Sequence, residues 1–375
     1  MVPSRTLQCA TILLLLAPVG CATDPGGGQG DPVAYVLGVD AADNRVVVRV
    51  SGPRLLVTGT LGAREDSQVH LGMALDTVTG HLYWIHADEL ALTHWTIVEL
   101  TDALVEARTA SSTTLLGSAR LSPYGPLVPL PECGLLTMNF TAPYDTGRQR
   151  QGLLVLNLAS LSLAGRVDGF YLLGRRGASR CQLLGRRVET TSDPAGAQRW
   201  LHTIDADALA LGDSFPIPSN AYFVGSGPQP SSVYLSVGDR LVLFDAASQQ
   251  ALASTGLGFR GLLGFPGPFA HDAHRDRVIV GDPGSYETGG SDTVLVLRAA
   301  DLSRLSAFGV LRLVGPYKTI RQVALASRTG EILVLVRPPP FEIGGPGQVL
   351  LLRSGSSMPV AASPEIPMGF NLIVR

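Results

Sequence analysis

A strand–turn–strand pattern recurs along this chain at intervals of roughly fifty residues. Its clearest copy is Thr293–Leu305, where the apolar run Val294–Leu297 is followed by a polar turn at Ala299–Asp301. Six more copies share the pattern and begin at Val46, Trp95, Leu153, Trp200, Leu241 and Val349. Successive copies start 41 to 58 residues apart. Short strands repeated at this interval are typical of small sheets arranged radially around an axis.

Further apolar segments precede most copies. The nearer set follows turns rich in Asp, Gly, Arg or Thr and includes Thr79–Ile85, Arg275–Val280 and Thr329–Val336. The farther set includes Leu71–Leu75, Gly261–Phe265 and Gln322–Ala326. Each repeat therefore provides about four strands joined by tight turns, which corresponds to one propeller blade. The predicted fold is an all-β, seven-bladed β-propeller.

The two ends of the repeat array predict how the ring closes. The first blade starts at Ala34–Leu37 and lacks an innermost strand, whereas Gly369–Val374 is an apolar strand with no repeat of its own. We expect this C-terminal strand to pair with the first blade. Such pairing closes the ring and removes sheet edges that would otherwise recruit other chains.

Composition agrees with one large folded domain. Of 375 residues, 45% are hydrophobic and 16% are charged, so the chain can bury an extensive core and lacks the composition of a disordered protein. Because repeat units share one core, we expect a single propeller domain over residues 33–375 rather than two or three domains. The net charge of −2 gives no general attraction to nucleic acid. The expected assembly is a monomer.

The N-terminus carries the pattern of a secretory signal peptide over residues 1–20. Arg5 precedes the apolar stretch Ala10–Val19, and small residues follow it. The ten residues of this stretch are too few to span a bilayer as a helix, which takes roughly 20. Residues 21–32 are rich in glycine and polar residues, and predict a flexible tether.

The sequence Ala17-Pro18-Val19-Gly20-Cys21 resembles the lipobox of bacterial lipoproteins. The resemblance implies cleavage before Cys21 and lipidation of its thiol, with the acyl chains anchoring the protein to a membrane. Ala22 stands where lipoproteins retained at the inner membrane have Asp. This implies an outer-membrane lipoprotein of the bacterial cell envelope, either periplasmic or surface-exposed. Cleavage after Ala22 is the alternative, and it implies a secreted protein without a lipid.

The order of turn, apolar strand, Asp- or Ser-containing turn and final strand resembles that of seven-bladed propellers with YVTN-type repeats, which are common in secreted bacterial proteins. Leu82-Tyr83-Trp84 also resembles a YWTD-type blade. The resemblance extends from Val33 to Arg375 and implies the propeller fold. It implies no particular activity, because this architecture supports enzymes and scaffolds alike.

Four segments interrupt the regular pattern. Asp88–Ala110 has apolar residues at near-helical spacing, but its β-branched and aromatic residues favour strands, with a helix as the alternative. Ser122–Pro131 contains four prolines and is predicted to be a loop. Thr141–Gln151 and Thr190–Gln198 are further polar insertions. Functional residues of such scaffolds tend to lie on loops of this kind.

Cys133 and Cys181 are the two cysteines within the predicted propeller. They lie 48 residues apart, and each begins an apolar strand. An oxidising compartment permits a disulfide between them. Equivalent positions in adjacent sheets lie about 10 Å apart, however, which exceeds the reach of a disulfide. A disulfide and two buried free thiols therefore both remain open.

Four groups of polar side chains have the residue types of a binding site. The metal-capable sets are His271, Asp272, His274 and Asp276; His86, Asp88 and Glu89; and Asp282, Glu287 and Asp292. Each is interpreted as a solvated turn or loop, so no metal ligand is assigned. An arginine-rich stretch comprises Arg148, Arg150, Arg166, Arg175, Arg176, Arg180, Arg186 and Arg187. Sharing one face, these arginines could bind an anionic glycan, lipid phosphates or an acidic protein; arginines scattered over two blades are the alternative.

The sequence favours binding over catalysis. It has no nucleophile elbow, zinc-protease motif, phosphate-binding loop or dinucleotide fingerprint in a suitable context, so no catalytic residue or cofactor is assigned. The predicted function is an envelope-anchored binding or scaffolding module for a protein or glycan partner. One alternative is a propeller enzyme, either a hydrolase or an oxidoreductase, with its site over the central channel. Another is a component of a larger assembly. Convergence of three or more His, Asp or Glu side chains on the channel mouth would favour the enzyme. An apolar or arginine-lined face without such convergence would favour binding.

Overall fold

The computed structural model describes most of the propeller. The described residues are 31–39, 45–62, 69–87, 94–142, 151–176, 181–187, 199–259, 268–282, 293–310, 319–326, 329–337, 346–353, 356, 358–366 and 368–375. The predicted signal peptide and most of the predicted tether lie outside this part of the chain, and so does Cys21. No helix in the described ranges has the length and apolar character needed to cross a membrane.

The described strands form seven four-stranded antiparallel sheets, which are the blades of a propeller. Blade 1 contains β28 (Met368–Val374), β1 (Val33–Val39), β2 (Arg45–Ser51) and β3 (Leu56–Gly62). Blade 2 contains β4 (Val69–Leu75), β5 (Leu82–Ala87), β6 (Trp95–Leu100) and β7 (Glu106–Ser111). Blade 3 contains β8 (Ser122–Leu130), β9 (Leu135–Thr141), β10 (Gln151–Asn157) and β11 (Leu163–Asp168).

The remaining four blades are built in the same order. Blade 4 contains β12 (Phe170–Arg175), β13 (Gln182–Arg187), β14 (Arg199–Asp205) and β15 (Ala210–Ile217). Blade 5 contains β16 (Ala221–Ser226), β17 (Ser232–Val237), β18 (Arg240–Asp245) and β19 (Gln250–Gly256). Blade 6 contains β20 (Phe269–Asp272), β21 (Arg277–Gly281), β22 (Thr293–Arg298) and β23 (Arg304–Gly309). Blade 7 contains β24 (Thr319–Leu325), β25 (Ile332–Arg337), β26 (Gln348–Leu352) and β27 (Ala361–Ala362).

Helical structure in the described ranges is limited to short pieces. The α-helix α1 (Ser112–Leu116) lies between blades 2 and 3, and the Ser111 side chain caps it by accepting a hydrogen bond from the Thr114 N–H. Single 3₁₀ turns occur at Pro131–Cys133 and Ala273–Arg275. The seven-bladed all-β prediction is confirmed.

The first strands of the blades form a closed circle around a central channel. Proceeding from β28, each first strand contacts that of the next blade, through β4, β8, β12, β16, β20 and β24, and the last contacts β28 again. β28 pairs antiparallel with β1, with Val36 opposite Leu372 and Ala34 opposite Val374. The predicted closure of blade 1 by the C-terminal strand is therefore confirmed.

The core lies between the blades. The described residues form seven apolar clusters, one at each boundary between adjacent blades. In β5, Leu82 and Trp84 pack against blade 1, whereas Tyr83, Ile85 and Ala87 pack against blade 3. Both faces of a central strand are thus buried, which explains why these strands read as continuous apolar runs rather than alternating ones.

The turn between the third and fourth strands has the same unusual backbone in six blades. One residue of each turn has a φ between 52° and 62°: Leu55, Leu104, Leu161, Leu209, Gln249 and Leu302. A non-glycine residue pays about 1–2 kcal/mol for this left-handed conformation. Leu55, Leu161 and Leu302 are at most 1% exposed, so burial between blades offsets the strain. This turn is the structural basis of the sequence repeat.

Polar side chains connect successive blades. The Tyr234 hydroxyl of blade 5 donates to the Ala299 carbonyl of blade 6 at 2.9 Å. In blade 2, the buried Glu99 carboxylate pairs with Arg108, whose guanidinium also donates to the Leu158 carbonyl of blade 3 at 2.9 Å. These bonds satisfy carbonyls that the radial packing removes from water, and they fix the orientation of one blade relative to the next.

One sequence prediction of strand position was wrong. Ser122–Pro131, predicted to be a loop, contains the inner strand β8, with a bulge between Tyr124 and Leu127. An inner strand has one unpaired edge, and proline is tolerated at such edges and at bulges. The predicted strand Gly261–Phe265 lies outside the described residues. The described inner strand of blade 6 is β20.

The Asp88–Ala110 region contains strands, as predicted. Trp95–Leu100 and Glu106–Ser111 are β6 and β7 of blade 2. Residues 88–93 lie outside the described part of the chain. The near-helical spacing arose because the two strands are separated by a turn that shifts the phase of the apolar positions.

Candidate binding site at the channel mouth

The propeller has two ends with different connections. The turn face carries the connections between first and second strands and between third and fourth strands, such as residues 76–81 and 101–105. The loop face, at the opposite end, carries the connections between second and third strands and those between blades. The Arg375 N–H donates to the Val33 carbonyl at 2.9 Å, so both ends of the propeller lie on the turn face.

The strands around the channel carry few negative charges. Asp272 is the only acidic residue within the seven described first strands. Its carboxylate accepts from the Arg277 Nε at 3.0 Å and also pairs with Arg275 at 3.4 Å, and it lies at the turn-face end of β20. By contrast, Arg321 is exposed near the loop-face end of β24. Toward the loop face, the described residues of the first strands are therefore neutral or positive.

A tyrosine–arginine cluster, formed by Tyr124, Tyr171 and Arg186, lies at the loop-face mouth between blades 3 and 4. The rings of Tyr124 on β8 and Tyr171 on β12 have centroids 5.4 Å apart. Tyr171 is opposite Arg186 on β13, and the guanidinium carbon of Arg186 lies 5.0 Å from the centre of the Tyr171 ring. This is a cation–π distance, so the ring fixes the position of an otherwise exposed cation.

The bulge in β8 allows the cluster to form. Gly125 has a φ of +73°, and a Cβ at this position would come within 2.9 Å of the Asn139 side-chain nitrogen and 3.3 Å of the Tyr171 hydroxyl. A larger residue is therefore excluded by both conformation and space. The bulge turns Tyr124 toward the next blade, where it meets Tyr171.

Asn139 joins the inner strand of blade 4 to blade 3. Its side-chain nitrogen donates to the Leu172 carbonyl at 3.0 Å, and its side-chain oxygen accepts from the Leu172 N–H at 2.6 Å. Asn139 is fully buried. The amide thus takes the place of a neighbouring strand at the open edge of β12 and holds Tyr171 against Tyr124.

Two further contacts of aromatic rings, one with a histidine and one with an arginine, extend the mouth across blade 4 to blade 5. Phe170 and His202 pack edge to face with centroids 5.3 Å apart. On β16, the Tyr222 ring lies 4.8 Å from the guanidinium carbon of Arg199, and Tyr222 is 40% exposed. Tyr222 therefore offers accessible aromatic surface beside the cluster.

The electrostatics of the mouth follow from burial and the arginines. Burial, with a contribution from Tyr171, raises the pKa of Tyr124 to about 12, although Arg186 opposes the shift. Burial, and secondarily Arg187, lowers the pKa of His202 below its ordinary value. At neutral pH, Tyr124 therefore keeps its proton and His202 is uncharged, so Arg186, Arg187 and Arg199 provide the positive charge on blade 4 here.

The arginine-rich stretch does not share one face. Arg175 pairs with Glu132, and Arg176 donates to the Pro230 carbonyl at 3.2 Å, both at the turn face. Arg186 and Arg187 lie at the loop-face end of β13. Arg166 pairs with Asp168 at 3.4 Å on the outer strand β11. The other three predicted members, Arg148, Arg150 and Arg180, lie outside the described residues.

The sets with metal-ligand residue types do not converge in the described residues, where no group of three or more His, Cys, Asp or Glu side chains is placed to hold a metal ion. Asp272 is paired with arginine, and the Asp276 carboxylate accepts from the Ala300 N–H at 3.1 Å. The His271 ring packs edge to face on Tyr234. Four residues of the other two sets lie outside the described ranges: Asp88, Glu89, Glu287 and Asp292.

Cys133 and Cys181 are joined by a disulfide that links blades 3 and 4 at the turn face, with Cα atoms 5.8 Å apart. Cys133 ends the 3₁₀ turn after β8, and Cys181 directly precedes β13. The 10 Å spacing of packed sheets does not apply here, because the blades of a propeller converge toward the central axis and these two turns lie on the side of the blades that faces the axis.

The channel-mouth cluster was missed at the level of sequence. Tyr124 lies in a segment interpreted as a loop. Tyr171 gives no signal of a site, because a lone tyrosine in an apolar strand is common. Arg186 was included only as one member of a larger set. The available signal was the tyrosine near the start of three successive inner strands: Tyr124, Tyr171 and Tyr222.

No protein-family model matches this sequence, and no curated protein is significantly similar to it. Solved propeller structures do resemble the fold. A candidate 6-phosphogluconolactonase from Bacteroides fragilis superposes with a TM-score of 0.58 at 10% identity, over 94% of this chain and 100% of that one. Apo AztD from Citrobacter koseri gives 0.53 at 11% identity, over 92% and 98% of the two chains. The Cps50 (Swd1) propeller domain from Myceliophteria thermophila gives 0.53 at 11% identity, over 82% and 88%. At these identities the likeness concerns the fold alone.

Proposed function

We propose that this protein is an envelope-anchored propeller lipoprotein that binds a partner at the loop-face mouth of its channel. The observation that carries the binding role is the tyrosine–arginine cluster. Arg186 and Arg187 are exposed, and neither forms an ion pair with any carboxylate of the described residues. Tyrosine and arginine are the residue types that contribute most to binding energy at recognition surfaces.

The position of the ends of the propeller supports anchoring through Cys21. Val33 and Arg375 are joined by a hydrogen bond on the turn face, so a tether over residues 21–32 would leave from that face. A lipid on Cys21 would then direct the turn face toward the membrane and the loop face away from it. This orientation leaves the cluster open to a partner.

The anchor is tested by the variant Cys21→Ser. We expect it to release the protein from membranes into the soluble fraction and to abolish labelling by a radioactive fatty acid. The matched control is Cys9→Ser, because Cys9 also lies in the predicted signal peptide but outside the lipobox. Unchanged membrane association of Cys21→Ser would reject the anchor.

The binding role is tested separately by capture from native envelopes. Tagged wild-type protein is compared with the double variant Arg186→Gln/Arg187→Gln and with Arg304→Gln. Arg304 is exposed on the outer strand β23 and has no ion-pair partner among the described residues. A partner retained by wild type and Arg304→Gln, and lost from the double variant, supports binding at the mouth. Equal capture by all three proteins argues against it.

A further inference from the structure

The chemistry of the mouth narrows the class of ligand, if the protein is the binding module proposed above. The two exposed arginines favour an anion. A guanidinium pairs with a carboxylate or phosphate through two parallel hydrogen bonds. Within the described ranges, Arg186 is held in place by the Tyr171 ring and not by a carboxylate. With no acidic residue on β8, β12 or β16, nothing on these inner strands repels an anionic group.

A buried hydroxyl at the same place requires a polar partner. The hydroxyl oxygen of Tyr124 is buried and has no hydrogen-bond partner within the described part of the chain. Leaving such a group without a hydrogen-bond partner destabilises the folded protein. Unsatisfied buried groups in folded proteins therefore call for a water or a ligand group. A ligand that brings its own hydroxyls, each both a donor and an acceptor, matches this requirement.

The backbone at this site is not available to an added peptide strand. A peptide that extends a sheet needs free N–H and C=O groups along the exposed edge. At the centre of β12, both backbone groups of Leu172 are already bonded to the Asn139 side chain. The mouth therefore offers side-chain groups, namely aromatic faces, guanidinium groups and a phenol, rather than a strand edge.

Aromatic surface beside the charge fits a sugar ring. Tyr222 is 40% exposed on the inner strand next to β12. The C–H groups on one side of a pyranose carry a small positive charge and pack against the negative face of an aromatic ring. The mouth thus combines cations, a hydroxyl partner and an aromatic face, and these features match the carboxylate, hydroxyls and ring of a uronic acid.

We propose that the tyrosine–arginine cluster binds an acidic oligosaccharide, with a uronate carboxylate paired to Arg186 and a sugar hydroxyl bonded to the Tyr124 hydroxyl. Arg187 contributes to the attraction without a fixed contact. An acidic protein segment would share the charge but would lack the hydroxyl and ring contacts.

The test is calorimetric titration of the purified full-length chain with three probes: oligogalacturonate, a maltooligosaccharide of equal length, and oligoglutamate with an equal number of carboxylates. We expect binding of oligogalacturonate that weakens as salt rises, with at least about tenfold weaker binding for the other two probes. The variant Arg186→Gln loses a charged hydrogen-bonded contact, so its affinity for oligogalacturonate should be at least about tenfold lower. Arg304→Gln should leave it unchanged.

The variant Tyr124→Phe isolates the hydroxyl contribution. It should lower the affinity for oligogalacturonate severalfold and leave the salt dependence of binding unchanged, because it removes a neutral hydrogen bond and no charge. Thermal unfolding of each variant checks that the propeller is intact. Arg186 is exposed, and Tyr124→Phe removes only an unpartnered atom, so we expect both to fold.

Three results would overturn the ligand class: no binding of oligogalacturonate, equally strong binding of oligoglutamate, or binding of oligogalacturonate that is unaffected by Arg186→Gln. The second result would indicate an acidic protein segment instead. None of them bears on the membrane anchor, which is measured by fractionation of Cys21→Ser. Oligogalacturonate could fail to bind while the capture experiment still finds a partner that the arginine double variant loses. In that case the binding role remains supported, and the ligand class alone is rejected.

Discussion

At the scale of single residues, Asn139 determines how the inner strand of blade 4 is held. Replacing it with Leu removes both hydrogen bonds and leaves the Leu172 N–H and C=O buried without partners. We expect the free energy of unfolding to fall by about 2–4 kcal/mol, since each unsatisfied buried group costs about 1–3 kcal/mol. Urea denaturation measures the change.

Asn157→Ala is the control for that substitution. Among the described residues, the exposed Asn157 side chain accepts only from the Ala159 N–H in the turn after β10, and water can replace this bond. Its loss should cost about 1 kcal/mol or less. Equal effects of the two variants would mean that Asn139 does not join the blades.

Asp102 provides a pH-dependent contact at the turn face between blades 1 and 2. Burial alone would raise its pKa, but the Tyr35 hydroxyl, Arg49 and Arg375 outweigh burial and hold the pKa below its ordinary value of 3.8. A carboxyl whose pKa is lowered in the folded state stabilises the protein above its ordinary pKa. That contribution is lost as the pH falls through the lowered value.

The variant Asp102→Asn should therefore be less stable than wild type at pH 7, and the difference should shrink below about pH 4. The side chain is 38% exposed, so we expect an effect of about 1 kcal/mol or less. Urea unfolding across the pH range measures it. Asp207→Asn, at an exposed carboxylate without an ion pair to any described residue, should show no such trend. A difference that grows toward low pH would contradict the assignment.

At the scale of elements, the left-handed residue in the turn between third and fourth strands balances strain against burial. Gln249 is exposed in this conformation, whereas Leu302 is 1% exposed. Gln249→Gly should raise the free energy of unfolding by about 0.5–1 kcal/mol because it removes strain alone. Leu302→Gly should lower it by about 2 kcal/mol because the lost burial outweighs the relief. Thermal and urea unfolding compare the two, and changes of the same sign would reject this account.

The disulfide is a link between elements of neighbouring blades. It encloses a segment of 48 residues, for which the chain-entropy model gives about 4 kcal/mol of stabilisation, with measured values commonly about 2–4 kcal/mol. Reductant should lower the unfolding midpoint of wild type but not that of Cys133→Ser/Cys181→Ser. Mass spectrometry of unreduced, alkylated protein should find the two cysteines joined. Finding both alkylated would show that they are free thiols in the isolated protein.

The sequence predicted the strands that are buried on both faces, and of the strands that line the channel it predicted β4, β24 and β28 but not β8. Third strands such as Thr293–Arg298 are continuous apolar runs because two blades cover them. The inner strand β8 has an open edge, so it can hold prolines and a bulge, and its sequence resembles a loop. β20 has only four residues and gives no periodic signal.

The candidate site was less predictable than the fold for a related reason. Tyr124 and Tyr171 lie in different sheets, and no spacing rule within one strand brings them together. Their contact depends on the bulge at Gly125 and on the bond between Asn139 and Leu172. Both features become visible only when the register of β8 and β12 is known.

At the scale of the whole molecule, the two ends of the propeller and the proposed binding site lie on opposite faces. The hydrogen bond between Arg375 and Val33 closes the ring there, and the tyrosine–arginine cluster lies at the opposite end. Closure of the ring and the geometry of the mouth are nevertheless coupled, because the inner strands form one continuous circle. Opening the circle at β28 should therefore affect the whole propeller rather than blade 1 alone.

Deletion of residues 368–375 tests that coupling. It removes β28, exposes the edge of β1, and takes away Leu372, which is 1% exposed at the boundary between blades 7 and 1. We expect loss of the cooperative unfolding transition and association through the free edge, measured by calorimetry and light scattering. Deletion of Arg375 alone is the control, because it removes one backbone hydrogen bond and one ion pair but keeps β28. Leu372→Ala should fall between the two deletions, costing about 2–5 kcal/mol without association through the edge of β1. A truncated protein that stays monomeric and unfolds at the wild-type temperature would show that the ring does not depend on its last strand.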